Sequence, residues 1–264
     1  MPVRLVTSDG VTLVADFYSA AVASAAPGST GASLAVVVCH GFTGSARTVA
    51  IKRIATQIAA AGIPVLAPDF RGHGRSGGLG TAGDLEVHDV AAAVAWLRAK
   101  QFDQVAVLGW SMGGSAVLRY AGLGGDVDAV VSVSSPGAWF ERGTRSMRIV
   151  HWVCETRSGR LAVRLLRRTR LSAGGWPIVP ESPAEVVGRI APTPLLIVHG
   201  DADHYFPMRH VDLLVAAAPT ASLWIEPGMG HAETATTPEL VTRMIEWVRG
   251  VVGAAPVCDD GVRD

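Results

Sequence analysis

The sequence has few cysteines and no excess of charge of either sign. Its 264 residues include three cysteines, Cys39, Cys154 and Cys258, which lie far apart and form neither a CxxC pair nor a Cys/His cluster. This spacing does not fit a disulfide framework or a zinc site, and we expect a reducing, cytoplasmic location. The formal net charge is zero, so the composition gives no reason to expect a nucleic-acid partner.

Long hydrophobic runs are also missing. Apolar runs such as residues 34–39 and 195–198 have the length of a strand and fall far short of a membrane span. The stretch SAAVASAA at residues 19–26 has the small residues of a signal-peptide cleavage site, but Asp9, Gly10 and Asp16 interrupt the apolar core that such a peptide needs. We therefore expect a loop between two strands there.

Short β-branched runs alternate with helical patterns along the chain. Two strands are predicted to pair around the turn at residues 8–10, and further strands are predicted near residues 34–40, 63–69, 104–110, 129–135, 194–200 and 222–227. Helices are predicted between them and over residues 238–251. This alternation predicts an α/β fold with a mostly parallel central sheet of about eight strands, an antiparallel N-terminal hairpin and helices on both faces.

One segment interrupts this alternation. Residues 136–185 contain two or three helical patterns where a single crossover helix would connect the strands, and long insertions of this kind often form lids. We expect a core of residues 1–135 and 186–252, a helical lid at 136–185, and a loosely ordered tail at 253–264.

The stretch GWSMGG at residues 109–114 follows a buried-strand pattern and precedes a helical one. In that context a G-x-S-x-G sequence predicts a sharp strand-to-helix turn that exposes a serine hydroxyl at a helix N-terminus. Glycines two residues to either side let the strand and helix approach closely. Ser111 is therefore the candidate nucleophile.

A serine needs a general base, and the base needs an orienting acid. Of the eight histidines, His231 lies in a loop after the last predicted strand, from which it could return to Ser111. After the preceding strand, Asp203 is better placed than Asp201 to reach this histidine, because Asp201 directly follows His199-Gly200 and is expected to stabilise the turn.

Together, these sequences resemble the α/β-hydrolase superfamily over about residues 4–251. The motifs that carry the resemblance are HGFTGS (40–45), PDFRGHGRSGG (68–78), GWSMGG (109–114), HGDADHYFP (199–207) and GMGHAE (228–233). The resemblance implies that Ser111, His231 and Asp203 are nucleophile, base and acid. It further implies that the backbone N–H groups of Phe42 and Met112 form an oxyanion hole.

The resemblance also implies the reaction class. Asp69 resembles a loop-bracing residue of the family rather than a catalytic one, and no metal or cofactor is expected. A serine at this turn favours hydrolysis of a carboxylic ester through an acyl-enzyme, here with an apolar acyl group. A thioesterase or a monoacylglycerol-type lipase would use the same residues. A C–C hydrolase, a cofactor-free haloperoxidase and a non-catalytic ligand-binding protein stay open as alternatives.

The predicted lid is rich in arginine and aromatic residues. Nine arginines stand against two glutamates over residues 141–170, and a helix capped by Ser158 is expected to present five of them on one face: Arg157, Arg160, Arg164, Arg167 and Arg168. This face could be solvated and paired with acids of the body, could contact anionic lipid, or could bind an anionic substrate. The candidate pocket residues are Trp139, Phe140, Trp152, Trp176 and Phe206.

Overall fold

The computed structural model of the protein describes residues 1–20 and 33–253. The predicted loop after the N-terminal hairpin and the predicted tail lie, almost entirely, outside these residues. No helix in the described part of the chain is long and apolar enough to cross a membrane.

Eight strands form a single sheet in the order β1-β2-β4-β3-β5-β6-β7-β8. Their bounds are β1 Pro2–Val6, β2 Thr12–Tyr18, β3 Leu34–Cys39, β4 Val65–Pro68, β5 Gln104–Trp110, β6 Ala129–Val133, β7 Leu195–Gly200 and β8 Ser222–Glu226. The β1/β2 and β2/β4 pairs are antiparallel and the other pairs are parallel. The predicted α/β sheet with an antiparallel N-terminal hairpin is confirmed.

Helices lie along both faces of the sheet. Their bounds are α1 Val49–Ala60, α2 Glu86–Ala99, α3 Met112–Gly122, α4 Arg145–Glu155, α5 Arg157–Arg167, α6 Pro183–Val186, α7 Arg209–Ala217, α8 Ala232–Ala235 and α9 Pro238–Gly253. Alternate residues of a strand point to opposite faces. Val105 and Val107 of β5 therefore join the core beside α2 and α3, whereas Ala106 and Leu108 join the core beside α1 and α9.

The segment between β6 and β7 contains α4 and α5, which pack against each other. The predicted start of the arginine-rich helix was wrong: Thr156 caps α5, and its hydroxyl accepts a hydrogen bond from the Gly159 N–H at 2.9 Å. Arg168 lies beyond the last helical residue in a left-handed conformation, with φ of 54°. The arginine face of α5 therefore consists of residues 157, 160, 164 and 167.

Candidate active site

Ser111 occupies the turn between β5 and α3, with φ of 52° and ψ of −117°. A non-glycine residue in this positive-φ region is strained. The turn closes tightly, because a Cβ atom at Gly109 would lie 2.3 Å from the Gly113 carbonyl oxygen, and one at Gly113 would lie 2.3 Å from that of Cys39. The two glycines thus permit the close approach that the sequence predicts, and the Ser111 hydroxyl points into a cavity.

His231 and Asp203 both lie beside Ser111. The His231 Nε2 atom is 3.0 Å from the Ser111 Oγ atom, and the Nδ1 atom is 2.8 Å from Asp203 Oδ2. Because the carboxylate accepts, the imidazole proton belongs on Nδ1, which leaves Nε2 free to accept the serine proton. The three side chains proposed from the sequence therefore form one continuous hydrogen-bonded chain.

Asp203 is buried and its carboxylate is fully bonded. Its Oδ1 atom accepts hydrogen bonds from the backbone N–H groups of Tyr205 at 2.8 Å and Phe206 at 3.1 Å. Burial opposes ionisation, but the hydrogen bond and charge of His231, together with these N–H groups, hold the pKa of Asp203 below its usual value. Asp201 instead accepts a hydrogen bond from the Gly228 N–H at 2.6 Å.

Two residues that line the cavity have a backbone N–H group without an acceptor among the described residues. Neither Phe42 nor Met112 donates its N–H to any acceptor in the described residues, and both residues line the cavity with Ser111. Met112 is the first residue of α3, where the helix dipole favours negative charge. Unpaired donors at a helix N-terminus can stabilise an oxyanion.

Buried side chains brace the turn that carries Phe42. His40 accepts a hydrogen bond from the Phe70 N–H at 3.0 Å through Nε2, and its Nδ1–H donates to the Gly41 carbonyl at 2.8 Å. Burial lowers the pKa of His40 to about 3, so this histidine is neutral and structural. Asp69 accepts hydrogen bonds from the Ala46 N–H and from Arg75, in keeping with a loop-bracing role.

The cavity has a volume of about 1200 Å³. All five aromatic residues proposed from the sequence line it: Trp139, Phe140, Trp152, Trp176 and Phe206. Trp176 packs against two of the other four, with ring centroids 5.1 Å and 5.7 Å away. Among the described residues, no group of three or more His, Cys, Asp and Glu side chains is arranged to bind a metal ion.

Two residues of the site were missed by the sequence analysis. The Tyr205 ring stacks on the His231 imidazole, with centroids 4.1 Å apart. Glu233 faces Gly41, whose N–H lies 3.4 Å from Glu233 Oε1, and burial raises the pKa of this carboxyl. Both lie within motifs already singled out, HGDADHYFP and GMGHAE, but neither residue type signals such a contact.

The order of the strands and the turn at Ser111 are those of the α/β-hydrolase fold. A family model described as the alpha/beta hydrolase fold matches residues 35–153. A comparison with curated proteins gave no significant match.

Solved structures with the same fold cover almost the whole chain. The Pyrococcus furiosus esterase Pf2001 is 22% identical, with 96% of this chain and 93% of that chain covered and a TM-score of 0.70. The Penicillium α/β hydrolase GrgF is 18% identical, with 96% and 98% covered and a TM-score of 0.73. XC6422 from Xanthomonas campestris, a serine hydrolase without a lid, is 19% identical, with 96% and 93% covered and a TM-score of 0.61. At these identities the likeness establishes the shared fold.

Proposed function

We propose that the protein is a serine hydrolase that cleaves carboxylic esters with an apolar acyl group. The observation that carries this proposal is the hydrogen-bonded chain from Ser111 through His231 to Asp203. The strained backbone at Ser111 supports it further, because strain of this kind persists mainly at functional sites.

The chemistry follows from the protonation state of His231. Its Nε2 atom accepts the proton as the Ser111 Oγ atom attacks the ester carbonyl, and Asp203 stabilises the imidazolium that forms. The imidazolium then returns the proton to the departing alcohol, which leaves an acyl-serine. A water molecule, deprotonated by the same nitrogen, then attacks this acyl group. As the bond between the acyl carbon and the Ser111 Oγ atom breaks, the imidazolium returns the proton to Oγ and the acid is released.

The oxyanion of each tetrahedral intermediate would be held by the N–H groups of Phe42 and Met112. Their lack of partners in the described residues supports this role, since they need not break another hydrogen bond during the reaction. The aromatic walls of the cavity favour an apolar acyl group. The esterase name of the Pyrococcus relative agrees with this reaction class.

The test is hydrolysis of p-nitrophenyl esters from acetate to palmitate by the wild-type protein and by Ser111→Ala. We expect a clear chain-length optimum for the wild type. We expect the variant to be slower by roughly 10⁶-fold, as for loss of the nucleophile in a serine triad. Thermal unfolding of both proteins checks that the fold is retained.

Reaction with a fluorophosphonate probe separates the alternatives. Labelling of Ser111 without hydrolysis of these esters would indicate that the serine is an active nucleophile but that the protein acts on another substrate. Thioesters and monoacylglycerols would then be assayed. No labelling of a folded protein would support a non-catalytic binding role. Equal hydrolysis by both proteins would refute the assignment of Ser111.

A further inference from the structure

Large apolar side chains are exposed around the entrance of the cavity. Leu166, Ile149 and Val179 line the cavity and are 80%, 54% and 54% exposed, respectively. Phe140 and Trp152 also line the cavity and are about half exposed. An apolar rim of this size marks an interaction site on a soluble protein more often than a plain surface.

The exposed apolar surface continues along α5. Gly159 and Val163 face the protein and are buried. Leu161 and Leu165, however, lie on a part of the apolar face that no element of the described residues covers, and they are 57% and 72% exposed. The apolar face of this helix is therefore wider than its packing within the protein requires.

A row of arginines borders these leucines. Residues 157, 160, 164 and 167 follow at helical spacing. Within the described residues, no carboxylate forms an ion pair with Arg157, Arg164 or Arg167, and Arg160 donates to the carbonyl of Cys154. The positive charge of α5 is consequently available to an external anion.

We propose that α5 and the cavity rim dock on an anionic phospholipid surface. The leucines would enter the acyl region while the arginines bind headgroup phosphates, the arrangement of an interfacial amphipathic helix. Charge alone would suit any polyanion, but a nucleic acid or an acidic peptide offers no phase into which the leucines could transfer. Docking in this orientation would bring the cavity rim to the lipid. This proposal for docking does not depend on the chemistry of Ser111.

The test is flotation of the full chain with vesicles, using Ser111→Ala so that no ester is cleaved. We expect binding to phosphatidylcholine vesicles that contain phosphatidylglycerol, weaker binding to phosphatidylcholine alone, and release as NaCl is raised. Arg157→Gln with Arg164→Gln should weaken binding by roughly fivefold per arginine.

Leu161→Ser with Leu165→Ser should weaken binding by roughly tenfold per leucine. The matched control is Leu123→Ser with Leu223→Ser, because these leucines are 48% and 40% exposed but lie outside the segment between β6 and β7. Vesicle binding by this control variant should be unchanged.

Three results would overturn the proposal. The first is absence of binding to either vesicle. The second is binding that responds to the arginine changes but not to the leucine changes, which would indicate a purely ionic partner. The third is a dimer that the leucine changes dissociate while lipid binding stays at the control level, which would make this surface an interface between two copies of the chain. Size-exclusion chromatography distinguishes this last case.

Discussion

Replacement of Asp203 by asparagine tests the hydrogen-bonded chain without changing its shape. The Oδ1 atom of Asp203 accepts two backbone N–H groups, from Tyr205 and Phe206. An asparagine oxygen will keep these two bonds, so its NH₂ group must face His231. The His231 Nδ1 atom can then only accept, and the imidazole proton moves to Nε2, where it blocks proton transfer from Ser111.

The expected loss in kcat/KM is about 10⁴-fold, the size of the same change in a serine protease triad. This loss corresponds to about 5.5 kcal/mol of transition-state stabilisation. The assay is p-nitrophenyl ester hydrolysis, with the rate of fluorophosphonate labelling as a second readout. Asp201→Asn is the matched control, because Asp201 binds the Gly228 N–H instead, and we expect its rate within about twofold of wild type.

The reasoning would be refuted if Asp203→Asn retained more than about a tenth of the wild-type rate while Ser111→Ala was inactive. A loss of folding cooperativity in Asp203→Asn would instead indicate a structural role, so thermal unfolding is recorded for each variant. If the acid orients the base, labelling and hydrolysis must slow together.

Three further changes probe the rest of the site. Gly109→Ala places a Cβ atom against the Gly113 carbonyl and should lower the free energy of unfolding by about 3 kcal/mol or more. The control Gly250→Ala, at an open position of α9, should raise this free energy by about 0.5–1 kcal/mol. Denaturant titration measures both changes. Burial raises the pKa of Glu233, so the contribution of this carboxyl to stability falls as pH rises above its unfolded-state value of 4.5. The stability of Glu233→Gln relative to wild type should therefore increase between pH 4.5 and 8. Trp176→Ala should move the ester chain-length optimum to longer chains, and kcat/KM should rise about fourfold for each additional methylene that the enlarged cavity accommodates. An unchanged optimum would exclude this indole from the acyl pocket.

The sheet and the three polar side chains could be predicted because simple rules connect them. Ser111, Asp203 and His231 follow β5, β7 and β8, and the carboxyl ends of parallel strands lie at one edge of a sheet. A residue that follows each strand is therefore brought towards the others, whatever the intervening sequence. The strand-to-helix turn at Ser111 could be predicted for a different reason, because six consecutive residues, 109–114, define it.

The start of α5 was predicted wrongly because two residues can cap it. Thr156 and Ser158 both carry a hydroxyl at a suitable position, and local sequence does not choose between them. The start of α5 also packs closely against α4, because a Cβ atom at position 159 would lie 2.3 Å from the Trp152 carbonyl oxygen. Glycine at position 159 allows this approach, and its N–H donates to the Thr156 hydroxyl at 2.9 Å.

The contact of Glu233 could not be predicted for a related reason. In the sequence it is an acidic residue near the start of a short helix, a position where a solvated carboxylate is common. Its carboxylate contacts Gly41, which lies 192 residues earlier in the chain. No periodicity or motif connects these two positions.

Long-range contacts of this kind also determine the shape of the cavity. The indole N–H of Trp139 donates to the Pro180 carbonyl at 2.7 Å, and that of Trp176 donates to the Thr81 carbonyl at 2.6 Å. A partly buried indole N–H usually finds an acceptor, but the sequence does not reveal which carbonyls the rest of the chain leaves free. The proximity of Ser111, Asp203 and His231 therefore follows from strand order and the motif at residues 109–114, whereas the shape of the cavity depends on aromatic residues held by contacts outside any regular element. For this reason the chain-length optimum has to be measured. It would report on the depth of the cavity that these two indoles, held by the carbonyls of Pro180 and Thr81, help to form.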